Sequence, residues 1–351
     1  PMKKITQEDI AKKLKITRTT VARALNGNGY VEEKLKNLII QTADEMGYRT
    51  NLVARSLAKK GGWNIYCFLV SYNYEFAQQL ESGLRAAERE FQHFGFVLHV
   101  VRHHPDNPEI QVEDLRKVLK MNTVDGLIIS PMLTTEVDAV IECCAEKNLP
   151  ISSINVRFYN KRNLFYVGSN PMELGALAAE LLSKLIGGKG KIVVFNAFSQ
   201  FEVLYLRFRG FVSEIKKNSQ IQIVEYCYLE NIEDSYDSAK AALGKYNDLN
   251  GMYTNTEVTH LSRALKDSGR QDVKLVGNDL NDEIKTLIHD SFIDIALHDR
   301  PYLQGYLSGK YMFNFLLNHI LPKQEITYVG FDIATKNNLN VDETFKILTN
   351  N

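Results

Sequence analysis

No apolar run in this chain is long enough to cross a bilayer as a helix, so a membrane-spanning protein is excluded. Cysteine is scarce. Cys67, Cys143, Cys144 and Cys227 have neither the C-x-x-C spacing of a zinc site nor the density of a disulfide framework, and they read as reduced, inert packing residues. The motifs that mark many α/β enzymes are missing too: no G-x-G-x-x-G after the first strand, no Walker A loop, no H-E-x-x-H pair, no G-x-S-x-G elbow. Gly187-Gly188-Lys189-Gly190 has the composition of a phosphate cradle, yet it precedes a strand instead of leading from a strand into a helix, so it reads as an ordinary turn. His103 and His104 are adjacent, would point apart on a strand and have no third ligand spaced for them; they read as solvated loop histidines. No metal, cofactor or enzymatic activity is expected. Behind Pro1-Met2-Lys3-Lys4-Ile5-Thr6 there is no apolar stretch, so this segment does not read as a secretory signal and the cytoplasm is the expected compartment.

In place of net charge the chain has a division of charge. Its 351 residues carry 42 basic and 42 acidic side chains, but residues 1–62 hold 13 Lys and Arg against 6 Asp and Glu. The head is therefore +7 and the remainder −7. A basic module on an acidic body suits attraction to phosphate at one end only. Within the head, Thr6 before Gln7-Glu8-Asp9 predicts a capped helix ending near Leu14, with Ile5, Ile10 and Leu14 on one face. Thr17 caps a second helix that runs to about Asn26, where Gly27-Asn28-Gly29 stop it. Val21 and Leu25 face inward and leave Arg18, Thr19, Ala22, Arg23 and Asn26 outward. That small, polar, cationic surface suits base edges and phosphates in a major groove about 12 Å wide. A third helix over 32–46 brings Leu35, Ile39, Ile40 and Ala43 to a small core.

Ile10-Ala11, the run Thr20-Val21-Ala22-Arg23-Ala24-Leu25-Asn26 and Glu45-Met46-Gly47-Tyr48 resemble the head of the lac-repressor (LacI/GalR) family. Asn51-Leu52-Val53-Ala54-Arg55-Ser56-Leu57-Ala58 is similar to that family's hinge helix, which is too short to persist alone in water. The resemblance implies that the hinge folds when two copies meet on DNA, and that Leu57 wedges into a minor-groove base step and bends the operator. It assigns Thr6, Thr17, Arg18, Thr19, Thr20, Arg23, Asn26, Asn51, Ala54 and Leu57 to DNA binding, with Arg23 and Asn26 open to phosphate contacts alone. Two positions depart from the family's pattern: Lys15 stands where glycine is usual in the turn, and Thr50 where a proline commonly precedes the hinge. A tolerated strain of about 1 kcal/mol is expected at Lys15.

From Trp63 onward apolar runs alternate with amphipathic stretches: strands are predicted over 65–70, 96–101, 126–130 and 151–154, and the pattern restarts over 165–167, 192–195, 221–226, 251–253 and 275–277. Helical patterns over 76–91, 115–119, 172–186 and 204–217 lie between them, a parallel α/β layout in two halves. Gly168-Ser169-Asn170, Arg207-Phe208-Arg209-Gly210-Phe211, Leu275-Val276-Gly277-Asn278-Asp279 and the late strand around Tyr328 extend the resemblance to nearly the full chain. It implies an all-α helix-turn-helix head joined to an α/β periplasmic-binding-protein type I body, with three crossings between two subdomains near 157–165, 297–301 and 328–332. The expected boundaries are 1–49 for the head, 50–60 for the hinge and 61–351 for the body. Its N-subdomain would span 61–160 with 299–329, and its C-subdomain 161–298 with 330–351. With no added heptad-bearing helix after the last family segment, a homodimer is expected on a near-palindromic double-stranded operator.

A cleft for a hydroxyl-rich effector, a sugar or polyol, wants planar guanidinium donors, carboxylate acceptors and an aromatic face. By resemblance the candidates are Asn73, Phe76, Asn155, Arg157, Arg207, Asn255, Asp279 and His298, with Arg207 and Asp279 foremost. Phe76 serves equally as core, and Tyr72 and Tyr74 suit either a sugar ring or a subunit interface. Replacing Arg207 is expected to abolish the ligand response and leave the body folded. Two other readings use the same α/β layout. An enzyme lacks its motifs here, and a solute-capturing transport protein needs an export signal and has no use for a basic head.

Overall fold

A computed structural model of the chain describes residues 5–26, 30–46, 59, 62–70, 73–104, 106–132, 134–158, 162–197, 201–230 and 234–339. The hinge residues Asn51, Ala54 and Leu57, the side chain of Asn26, and Tyr72 lie outside the described residues.

The head opens with α1 (Gln7–Leu14), and its first turn shows why it starts where it does. Thr6 Oγ1 accepts the Asp9 amide at 3.3 Å while Asp9 Oδ2 accepts the Thr6 amide at 2.8 Å, a reciprocal cap for two otherwise unpaired donors. The helix stops at Lys15, which takes φ 54° and ψ 40° so that the chain can turn into α2 (Arg18–Asn26). Thr17 caps α2 by accepting the Thr20 amide at 3.1 Å. Ile10, Ala11, Val21 and Ala24 meet Ile39 and Ala43 of α3 (Glu33–Glu45) in one small core. Ile40 is not part of it: it is 40% exposed, because one residue past Ile39 turns the side chain about 100° off the buried stripe. A left-handed lysine is a local strain that glycine lacks. Lys15→Gly is expected to raise the stability of the head by up to about 1 kcal/mol, and a lowered denaturation midpoint would contradict it.

The first half of the body comprises β1 (Trp63–Val70), α4 (Tyr74–Phe91), a short 3-10 turn, β2 (Phe96–His103), α5 (Pro108–Leu119), β3 (Gly126–Ile129), α6 (Thr135–Glu146), β4 (Ile151–Ile154) and β5 (Asn163–Gly168). The second comprises α7 (Pro171–Leu185), β6 (Gly190–Ala197), α8 (Glu202–Ile215), β7 (Ile221–Leu229), α9 (Asp234–Lys245), β8 (Leu249–Glu257), α10 (Thr259–Ser268), β9 (Lys274–Asn278), α11 (Asp282–His289) and β10 (Ile295–His298). Then α12 (Pro301–Asn318) and β11 (Ile326–Tyr328) return to the first half, and β12 (Asp332–Ala334) rejoins the second. The sheet orders are β11-β5-β4-β3-β1-β2 and β12-β10-β9-β8-β6-β7. Pairing is parallel except for β12 against β10. Helices cover both faces of each sheet, so the strands are apolar on both sides, as parallel sheets require.

One boundary differs from the sequence expectation. The segment 165–167, predicted to open the second half, is β5 and pairs with β4 in the first sheet, so the first crossing follows Gly168 instead of lying at 157–165. Strand pairing is a contact between distant segments, which local periodicity does not encode. Two smaller readings also change. Cys143 is exposed, not packed, whereas Cys67 and Cys144 are buried and burial pushes both thiols up. His103 is no solvated loop residue: it ends β2, is buried against Phe68, and its Nε2 lies 3.2 Å from Asp114. Burial, opposed by Asp114, lowers its pKa.

Candidate functional site

A cleft opens where the strands of both halves end, the place where an open α/β sheet leaves a crevice between diverging connections. Val70, Asn73, Phe76 and Asn155 line it from the first half, and Phe201, Val203, Leu204, Arg207, Thr256 and Asp279 from the second. Its free space is about 470 Å³, the solvent at its mouth included. Asn155 (φ 61°) and Asp279 (φ 69°) both adopt the left-handed conformation just past their strands, where Asn and Asp are the side chains best able to do so. Tyr166 helps to hold the turn by donating its hydroxyl to the Asn155 carbonyl at 2.9 Å.

The two halves touch across this cleft. Asn73 caps α4, its Oδ1 accepting the Glu75 and Phe76 amides at 2.9 and 3.1 Å, and its Nδ2 donates to Asp279 Oδ2 at 3.1 Å. Gln79, nearly two turns further along α4, donates to the Leu280 carbonyl at 3.2 Å, and its Oε1 lies 3.0 Å from His298 Nε2. His298 is thereby engaged between the halves and lines a smaller depression beside the main cleft.

Arg207 is reached from α8, where Val203 and Leu204 lie one turn earlier on the same face. It is only 3% exposed. Nη1 donates to the Asn255 carbonyl at 3.0 Å, and Nη2 lies 3.3 Å from Oδ2 of Asp299, which is 2% exposed and also accepts Ser169 Oγ at 3.1 Å. One turn past Arg207, Phe211 stacks on Tyr253 with ring centroids 3.8 Å apart and fastens α8 to β8. Burial pushes the Tyr253 hydroxyl up to about 12. Ser169 follows β5 and Asp299 follows β10, so the ion pair stands where two crossings meet. The third is tied in by Arg300, which donates to the Val329 carbonyl at 3.1 Å and pairs with Asp332.

Of the residues expected to contact an effector, Asn73, Phe76, Asn155, Arg207 and Asp279 do line the cleft. Asn255 does not. Its amide is fully buried, accepting the Ala197 amide at 2.9 Å and donating to Asn196 Oδ1 and to the Ala197 and Leu204 carbonyls, so its side chain braces the wall. Arg157 is half-buried and outside the lining. Tyr74 is exposed under the guanidinium of Arg102 and also takes no part. Asp299 was not anticipated, although its position directly after His298 was a signal: successive residues leaving a strand face opposite sides. Among the described residues no group of three or more His, Cys, Asp or Glu could hold a metal ion, and no helix is long and apolar enough to cross a membrane.

In the head, Thr6, Thr17, Arg18, Thr19 and Arg23 are exposed, and α2 has no acidic residue. Thr20 is half-buried, with its hydroxyl 2.8 Å from that of Thr17.

Comparison with known proteins covers both parts. The family model described as bacterial regulatory proteins, lacI family, matches residues 6–51, and that of the periplasmic binding protein domain matches residues 65–318, more than half of the chain. The Bacillus subtilis protein named "Probable HTH-type transcriptional repressor ExuR" is 27% identical over 218 residues, 60% of each chain. The sucrose operon repressor of Streptococcus mutans is 26% identical over 232 residues, 62% of this chain and 68% of that protein. Among solved structures, an ABC transporter solute-binding protein from Burkholderia graminis in complex with D-arabinose superposes with a TM-score of 0.73 at 17% identity, covering 80% of this chain and 98% of that one. The last shows a shared fold.

Proposed function

The chain belongs to the lacI family of bacterial regulatory proteins, and from that premise we propose that it is a sequence-specific DNA-binding transcription regulator, of the repressor kind, that senses a sugar or polyol. The observation that carries this reading is the pairing of two unlike surfaces in one chain. An acid-free helix presents Arg18, Thr19 and Arg23 to solvent, and a two-lobed body closes over a cleft lined by Asn73, Arg207 and Asp279. The first suits phosphate and base edges, the second a ligand rich in hydroxyls.

Two copies would present their α2 helices to successive major grooves about one helical turn apart, with Asn51, Ala54 and Leu57 of the hinge ordering where the half-site spacing fits. Ligand in the cleft alters the contacts by which Asn73 and Gln79 join the lobes, and so the angle between them. That angle sets the separation of the two hinges. Ligand and operator affinities are then linked, and the coupling is reciprocal.

Selection of duplexes from a random pool tests the reading. The expected product is an inverted repeat bound by a dimer, and failure to enrich any duplex would overturn it. Within the selected site, Arg18→Ala is expected to cost about 1–3 kcal/mol and to relax the preference at one half-site position. An unchanged base-preference matrix would remove Arg18 from base readout.

A further inference from the structure

The charges in and behind the cleft do not add up to a site for an anion. Among the described residues that line it, Arg207 is the one base and Asp279 the one acid. Behind the wall, Asp299 takes one edge of the Arg207 guanidinium, so the three ionised groups sum to −1. Asp299 is also fixed in place. Its carboxylate accepts Ser169 Oγ, and its carbonyl accepts Gln304 Nε2 at 2.6 Å. At the starts of α4 and α11, backbone donors of the kind that receive phosphates and carboxylates at helix N-termini are engaged by side-chain caps. Asn73 takes the Glu75 and Phe76 amides at the start of α4, and Asn281 takes the Ile284 amide at the start of α11.

We infer that Asp299 sets the charge class of the effector: by neutralising Arg207 from behind, it makes the cleft select uncharged polyhydroxylated ligands and reject sugar phosphates and sugar acids. This rests on the sugar-sensing reading and deepens it. A hydroxyl oxygen needs only an N–H donor, and Arg207 keeps donors beyond the two that hold Asn255 and Asp299. A hydroxyl hydrogen finds an acceptor in Asp279. A phosphate or carboxylate needs uncompensated positive charge instead, and it would meet the Asp279 carboxylate with none to spare. Asp299 lies outside the lining, so it acts through Arg207 as a positioning and charge-balancing residue.

The experiment measures thermal unfolding of the full chain with uncharged monosaccharides such as D-arabinose, D-allose and D-glucose, each beside its own phosphate and sugar acid at equal concentration. The expected result is stabilisation by an uncharged sugar, with its charged derivatives weaker by about tenfold or more in apparent affinity. In Asp299→Asn, read against its own unliganded melt, that preference should narrow by about tenfold or invert, whereas Ser169→Ala, which leaves the charge in place, should keep it. A charged derivative preferred over its parent by the unaltered chain would overturn the inference and leave sugar sensing standing. The same preference in Asp299→Asn as in the unaltered chain, or an equal change in Ser169→Ala, would remove the assignment to the Asp299 charge. No response to any sugar, charged or not, would bring down the sugar reading and this inference with it. The unaltered chain decides the charge class by itself should Asp299→Asn not fold.

Discussion

Arg207→Met is expected to destabilise the body by about 3–5 kcal/mol as well as to abolish its response to ligand. The sequence alone leads to the expectation that the body stays folded when Arg207 is replaced. Here both members of the ion pair are almost completely buried, at 3% and 2% exposure, and removing the cation strands a carboxylate that water cannot reach. The cost is that of an uncompensated charge, not of the attraction lost. The double variant Arg207→Met with Asp299→Leu should therefore regain most of the stability, since apolar side chains of similar size replace a buried pair at little net expense. It should not regain the ligand response, because the cleft still lacks its guanidinium. Thermal unfolding of the three proteins, followed by circular dichroism, separates the two effects. A single variant as stable as the unaltered chain would show that the pair is not closed to solvent.

Gly175→Ala should be nearly as damaging, although glycine to alanine inside a helix ordinarily helps by up to about 1 kcal/mol. A Cβ at Gly175 would lie 1.9 Å from the Arg207 carbonyl oxygen and 2.8 Å from the Phe211 amide, so α7 and α8 touch backbone to backbone. Gly210 makes the reciprocal approach, 2.1 Å from the Met172 carbonyl. Backbone cannot swing aside as a flexible side chain does, and α8 must shift as a unit. A loss of about 3 kcal/mol or more is expected, at the upper end of what overpacking costs. Because α8 carries Val203, Leu204 and Arg207, ligand affinity should fall with stability. Gly244→Ala in α9, where a Cβ meets nothing within 4 Å, is the matched control and should stabilise. If Gly175→Ala behaved like that control, the contact between α7 and α8 would be looser than described.

Much of the architecture was legible because local patterns encode local burial. Thr6 and Thr17 announced the starts of α1 and α2, and the apolar runs marked nine strands. The same logic failed by one residue at Ile40, where two adjacent isoleucines fit a helical stripe and only Ile39 could occupy it. Among the cleft residues, Asn73, Asn155, Arg207 and Asp279 were found through resemblance. The same resemblance pointed Asn255 to ligand, yet its four hydrogen bonds brace the wall between β6, β8 and α8.

By itself the sequence determined a basic helical head with an acid-free second helix, and an α/β body in two halves, because those properties follow from composition and from periodicity over a few turns. Only the tertiary structure decided that β5 belongs to the first sheet, that Asn73 meets Asp279 across 206 positions, and that Asp299 neutralises Arg207 across 92. These are contacts between segments distant along the chain. They are set by how the sheets pair and where the crossings meet, and no periodicity within one segment contains that information.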